Sequence, residues 1–273
     1  MGDVTDEKLD RLRQELARLG RVVVACSGGV DSSLLAVVAH QVLGRGALAV
    51  TAHSPAVPAE EVEAARSLAE RHGLRWRSVA TTELDRPDYV ANSGERCYHC
   101  RSALFDVLVP IAAAEGAVVA LGTITDDLGD HRPGLRAAAE RGVVSPLVDA
   151  GFTKAEVRAA ARSLGLRAWD KPAAPCLASR IPYGTPVTIG TLDRVGRAER
   201  ALRRLGFSDL RVRHYGEVAR CEFPPAELGA VLARRAEVVE AVRAAGYRYV
   251  TVDLDGLRSG NLNEGLPPGG MSP

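Results

Sequence analysis

Two groups of residues in this chain have the types and spacing to do chemistry. The first is Ser27-Gly-Gly-Val-Asp-Ser-Ser33, which follows the apolar run Arg21–Cys26 and leads into an apolar helix over about 32–43. Gly28 and Gly29 let backbone amides approach an anion closely, and the helix N-terminus adds the positive end of its dipole. The hydroxyls of Ser27, Ser32 and Ser33 are further donors. Asp31 would repel phosphate unless a cation lay between them, so the pattern asks for Mg²⁺. The competing reading is a tight strand-to-helix turn with an Asp/Ser cap. The strand–glycine–helix context of the whole heptamer favours phosphate. None of the three lysines (Lys8, Lys154, Lys171) stands in a Gly-Lys-Ser/Thr pattern, so this is not the common P-loop.

The second group is thiols. Cys97-Tyr-His-Cys100 puts two of them on one face at the start of a predicted helix, where the dipole favours thiolates. On spacing alone this is redox, zinc, iron–sulfur or no site at all. Cys176 lies in a long proline-rich loop. Three thiolates would hold three irons of a [4Fe–4S] cluster and leave the fourth open. Zinc would need a fourth ligand, and His99 is the nearest candidate. Cys26 and Cys221 read as small core residues.

The elements that must position these groups alternate. A helix over 6–19 carries Leu9, Leu12, Leu16 and Leu19 at helical spacing. Strands are expected at 21–26, 47–51, 75–80 and 117–121, with helices at 32–43, 58–72, 97–114 and 153–164 between and after them. This order means α/β: a parallel sheet with helices on both faces. Its ligands sit at the carboxyl ends of the strands, where loops 26–33, 52–58 and 122–134 gather. Gly44-Arg-Gly46 loosely matches a dinucleotide-binding glycine pattern but precedes its strand, so it is a turn. The stretch 169–186 has four prolines and no periodicity. Beyond it a helix (188–205), strands near 209–215 and 217–223, a helical stretch (225–245) and a strand (247–253) make a small C-terminal α+β domain. The expected division is 1–175 and 176–273, with a frayed tail at Leu266–Pro273.

Composition bounds the rest. Hydrophobic residues make up 46% and charged residues 25% of 273, enough to fill a core. Lys+Arg is 35 against Asp+Glu at 34, which speaks against a large nucleic-acid surface. No apolar run is long enough to span a membrane, and the charged N-terminus lacks a secretory block, so the expected location is cytoplasmic. Five cysteines in such a compartment do not read as a disulfide framework.

The heptamer Ser27–Ser33 resembles the pyrophosphate-binding loop of the PP-loop (HUP-like) ATP pyrophosphatase superfamily. Together with Gly122–Gly134, Pro175-Cys-Leu-Ala-Ser-Arg-Ile-Pro-Tyr-Gly184 and Gly246–Gly260 it resembles the LarE family, over nearly the whole chain. The Cys-Leu-Ala-Ser-Arg-Ile-Pro-Tyr segment is the specific signal. The resemblance implies an ATP-dependent sulfur transferase acting on a small-molecule nucleotide, pyridinium-3,5-dicarboxylate mononucleotide. A carboxylate is adenylated, pyrophosphate is released, and a sulfur nucleophile displaces AMP. In one branch the sulfur comes from the cysteine at Cys176, which ends as dehydroalanine. In another, a CxxC and this cysteine hold a [4Fe–4S] cluster carrying an extra sulfide. Cys97 and Cys100 place this sequence in the cluster branch, with Cys176 a ligand.

Other roles also follow from the resemblance. Ser27, Gly28, Gly29, Asp31, Ser32 and Ser33 hold ATP and Mg²⁺. Arg180 meets pyrophosphate or the substrate's phosphate. Asp126 and Asp127 meet Mg²⁺ or the adenylate, or form a polar loop. Arg132 helps bind substrate phosphate. Ile124 stands where family members often carry Asn. Glu199 is either a site acid or part of a solvated helix face, with the solvated face preferred. His53 lines the adenosine pocket or is a surface histidine, and Trp76 and Trp169 are packing residues. A homo-oligomer is expected, with no nucleic-acid or membrane partner. The rivals are a PP-loop tRNA 2-thiolation enzyme, an amide-forming PP-loop ligase such as an NAD synthetase, and a nucleotide-binding regulator.

Overall fold

The computed structural model describes residues 2–128, 133–172 and 175–258. They form two compact units. The first takes in Met1–Glu83 and Cys97–Ala174, the second Leu84–Arg96 and Pro175–Pro273. The excursion of Leu84–Arg96 into the second unit has no signal in the local sequence pattern.

In the first unit four short strands pair in parallel in the order β3-β2-β1-β4. They are β1 (Val22–Ala25), β2 (Ala47–His53), β3 (Trp76–Ala80) and β4 (Val118–Ala120). Register aligns Val22 with Ala47 and with Val118. The all-apolar β1 sits in the middle because a central parallel strand is covered on both faces. Val22 and Val24 pack with Leu12 and Leu16 of α1 (Gly2–Leu19), Leu34 and Leu35 of α2 (Val30–Leu43) and Leu68 of α3 (Ala59–His72). Val23 faces the other way, against Leu108 and Ala112 of the long helix that starts at Arg96. The expected α/β class with both faces covered is what forms.

The helices after α3 are α4 (Pro87–Val90), which belongs to the second unit, and α5 (Arg96–Glu115), α6 (Pro133–Glu140), α7 (Pro146–Asp149) and α8 (Lys154–Ser163). The second unit adds α9 (Ile189–Arg204), β5 (Arg211–Tyr215), β6 (Val218–Glu222), α10 (Leu228–Ala233), α11 (Arg235–Ala244) and β7 (Tyr249–Val252). Its sheet runs β5-β6-β7, antiparallel and then parallel. Leu202, Val212, Cys221, Phe223, Val238 and Val242 make a separate core. The helical stretch expected at 225–245 is broken at Arg234 into α10 and α11. Gly44–Gly46 is the short turn expected of it. Among the described residues no helix is long and apolar enough to cross a membrane.

Candidate functional site

The glycine loop leaves β1 at the carboxyl edge of the sheet and enters α2 at Val30. Gly28 has φ +77, and a Cβ there would lie 2.7 Å from the carbonyl oxygen of Glu61. Only glycine meets both demands. Gly122, at the end of β4, comes just as close: its Cβ would be 2.7 Å from the backbone nitrogen of Ser32. The loop is tied across itself by Ser32. Its Oγ accepts from the Ser27 amide at 3.1 Å and donates to the Gly29 carbonyl at 3.1 Å. Ser32 and Ser33 are buried, while Ser27 is exposed. No side chain caps α2, so the amides of its first turn stay available to an anion.

Behind the loop, Trp76 does more than pack. Its indole N–H donates to Thr51 Oγ1 at 2.9 Å, and Thr51 donates to the Cys26 carbonyl at 2.7 Å. The chain thus holds the entry to the loop. Cys26 is buried there, which pushes its thiol up. Trp169 departs from a packing role: it is partly exposed, with the Arg162 guanidinium 4.9 Å from its ring centre. His53 is exposed at the end of β2.

The chain has only three lysines, Lys8, Lys154 and Lys171, and the last two are committed to this region. Lys154 Nζ lies 2.6 and 2.9 Å from the carboxylate oxygens of Asp31. Lys171 Nζ donates to Glu61 at 2.7 Å and to the Gly28 carbonyl at 3.2 Å. Asp126 accepts from the Lys154 amide, at the start of α8, at 3.1 Å. Asp127 closes its own turn by accepting from the Ile124 amide at 3.1 Å. Both aspartates therefore have structural partners, and Lys154 links the β4 loop to the glycine loop. Arg132 lies outside the described residues.

The direction of α8 is set by Lys8. Its ammonium donates to Glu156 and to the Gly151 carbonyl, each at 2.7 Å, while Glu156 accepts from the Thr153 amide at 2.8 Å. Burial pushes the Glu156 carboxyl up, but the Lys8 and Thr153 hydrogen bonds outweigh it and hold it at about 2. A depressed carboxyl adds stability above its unfolded value, and that stability is lost as pH falls from there through about 2. Glu156→Gln is expected to cost about 1–2 kcal/mol at neutral pH, after allowance for solvent screening. Urea unfolding of both proteins should show that gap closing as the pH is lowered to about 2.

Cys97 and Cys100 lie in the first turn of α5, exposed and half-buried respectively, and no disulfide joins any of the five cysteines. Tyr98 between them donates to Glu140 at 2.6 Å. Within each unit, among the described residues, no three His, Cys, Asp or Glu side chains converge to hold a metal ion.

In the second unit Cys176 is half-buried and opens the short turn Leu177–Arg180. Arg180 is buried: Nε and Nη2 donate to Glu199 at 2.8 and 3.2 Å, and Nη1 donates to the Pro175 carbonyl at 2.8 Å. Glu199 is 0% exposed, also accepting from Arg203 at 3.0 Å and the Val212 amide at 3.1 Å. The solvated helix face expected for Glu199 is therefore corrected; it occupies the core-facing stripe of α9. A second buried pair, Arg213 with Glu222 at 2.9 and 3.0 Å, lies on β5 and β6, and Arg213 also donates to the Ser179 carbonyl at 2.7 Å. Nothing in the local pattern singled out Arg213 or Glu222. Cys221 is buried among Glu199 and Glu222, and its thiol is pushed up to about 12, first by burial and then by those carboxylates. That is an inert core thiol.

Known proteins match this chain over nearly its whole length. A pyridinium-3,5-bisthiocarboxylic acid mononucleotide synthase of Lactiplantibacillus plantarum is 41% identical over 92% of this chain and 92% of its own. The chain belongs to the LarE family. An uncharacterized protein of Synechocystis is 47% identical over 96% of this chain and 98% of its own. A probable tRNA sulfurtransferase of Thermus thermophilus is 31% identical over 67% of this chain but only 47% of its own. Residues 4–94 match the NAD synthase family, the stretch that includes β1, the glycine loop and α2. As a LarE protein the chain is an ATP-dependent enzyme, and its first unit has the PP-loop fold.

Proposed function

We propose that this LarE protein adenylates a carboxylate of pyridinium-3,5-dicarboxylate mononucleotide and converts it to a thiocarboxylate. The observation that carries this is the end-to-end similarity to the Lactiplantibacillus synthase. The carboxylate oxygen attacks the α-phosphorus of ATP, and the bond to the β-phosphate oxygen breaks to release pyrophosphate. The acyl carbon then has AMP as leaving group, which a sulfur nucleophile displaces. Ser27, Gly28, Gly29, Ser32 and Ser33 hold the phosphates through amides and hydroxyls. Asp31 would hold Mg²⁺; in this structure its carboxylate is paired with Lys154. Arg132 would help bind the substrate's phosphate, and Asp126, which accepts from the Lys154 amide, would meet Mg²⁺ or the adenylate.

Cys97, Cys100 and Cys176 would hold a [4Fe–4S] cluster. The first two fit it as a pair of thiols in one helical turn with no disulfide between them. When bound, the cluster supplies a sulfide at an iron that no cysteine occupies. The enzyme acts in the cytoplasm, where thiols stay reduced, and as a homo-oligomer.

The test is turnover of iron- and sulfide-reconstituted protein with ATP, Mg²⁺ and the dicarboxylate, followed by intact mass. Pyrophosphate release that depends on the dicarboxylate, with an unchanged chain, is expected. Loss of the elements of H₂S at Cys176 would make that cysteine the sacrificed donor instead. Pyrophosphate release indifferent to the dicarboxylate would overturn the substrate.

A further inference from the structure

The loop that carries Cys176 has no ladder to satisfy its carbonyls. Pro175, Pro182 and Pro186 lack N–H groups, and the segment forms only short turns, at Leu177–Arg180 and at Pro182–Thr185. Buried carbonyls must still find donors. In this loop the amides of Ser179, Ile181 and Thr185 reach the carbonyls of Cys176, Ala178 and Pro182, and the other donors are side chains. Arg180 takes Pro175 and Cys176, Arg213 takes Ser179, and Ala178, Ile181, Pro182 and Thr185 are taken by two residues from the excursion Leu84–Arg96.

Asn92 is fully buried and, among the described residues, the one non-glycine with positive φ, at 55°. Left-handed backbone at asparagine costs less than at most residues, but it persists only where the surroundings insist on it. Here its Nδ2 donates to the carbonyls of Pro182 and Thr185, each at 2.8 Å, and to Ile181 at 3.3 Å. Its own carbonyl accepts from the Gly184 amide at 3.0 Å. Its Oδ1 accepts from Arg96 Nη1 at 2.6 Å, and the same nitrogen donates to the Ala178 carbonyl at 3.0 Å. The Arg96 guanidinium also lies 5.4 Å from the centre of the Tyr183 ring. One asparagine and one arginine therefore hold one carbonyl inside the turn that follows Cys176 and three beyond it. Arg96 is also the residue before Cys97.

We propose that Asn92 and Arg96 are positioning residues for Cys176, fixing the loop by its carbonyls so that the thiol is presented in one place for sulfur transfer. Both act through the loop backbone. This rests on the reading that Cys176 takes part in sulfur transfer.

The test separates the two half-reactions in the full chain. In Arg96→Met, ATP–pyrophosphate exchange, which uses the glycine loop, should stay near wild type. Sulfur transfer should fall about 100-fold, the cost of a misplacement near 1 Å. Iodoacetamide alkylation of Cys176, followed by peptide mass spectrometry on iron-free chain, should become about tenfold faster as the loop opens. Asn92→Gly, which keeps the backbone conformation but loses the amide, should behave likewise, and Arg96→Lys should recover much of the transfer. Unchanged alkylation and unchanged transfer in Arg96→Met and Asn92→Gly would overturn the clamp. So would exchange and transfer falling together with no recovery in Arg96→Lys, the pattern of general fold damage. Full sulfur transfer by Cys176→Ala would instead sink the role of the thiol, and alkylation rates would still decide the clamp.

Discussion

Gly28→Ala is expected to lower dicarboxylate-dependent pyrophosphate release about 100-fold, because two separate demands fail at once. The backbone there has φ +77, which costs a side-chain-bearing residue roughly 1–2 kcal/mol. The added methyl would also meet the Glu61 carbonyl at 2.7 Å, so the loop or the start of α3 must move. Either movement carries the amides and hydroxyls away from the phosphates. Gly122→Ala should produce the same loss from the opposite side, since its methyl would press on the backbone of Ser32. Steady-state pyrophosphate release, with circular dichroism to verify folding, measures both. Wild-type rates in Gly28→Ala would show that nucleotide is not held by this loop.

Glu199→Gln is expected to cost about 3–5 kcal/mol, the usual penalty for breaking a buried ion pair. Arg180 is 4% exposed and Glu199 0%, so the guanidinium left behind has little water to turn to. The same substitution weakens the contact to Arg203 and the cap on the Val212 amide. Replacing both partners, Arg180→Met with Glu199→Leu, should restore much of the loss, because apolar pairs of similar volume tolerate such sites. Urea unfolding followed by circular dichroism is the measurement. A single variant within 1 kcal/mol of wild type, roughly the range of an exposed pair, would mean that Arg180 finds another partner.

Much of the first unit was legible because its signals are local. The apolar run at β1, the glycine heptamer and the helical leucines of α1 each declare themselves within a few residues. Glu199 was legible too, in retrospect. It falls in step with Leu192, Val195 and Leu202 on α9, so periodicity placed it in the core although its charge suggested water. The roles of Asn92 and Arg96 were not legible. Their partners at Ala178–Thr185 lie far along the chain, and the segment that carries them has no period. Lys154 sat between these cases: its rarity was visible, but its pairing with Asp31 required the fold.

The hydrogen bond from Trp76 to Thr51 has a practical use. The chain has two tryptophans, Trp76 and Trp169, and both belong to the first unit. Intrinsic fluorescence therefore reports on that half of the molecule and is blind to the other. Trp76 is joined through Thr51 to the residue before the glycine loop, so its emission is expected to shift when ATP is added, which a titration without any added dye would read.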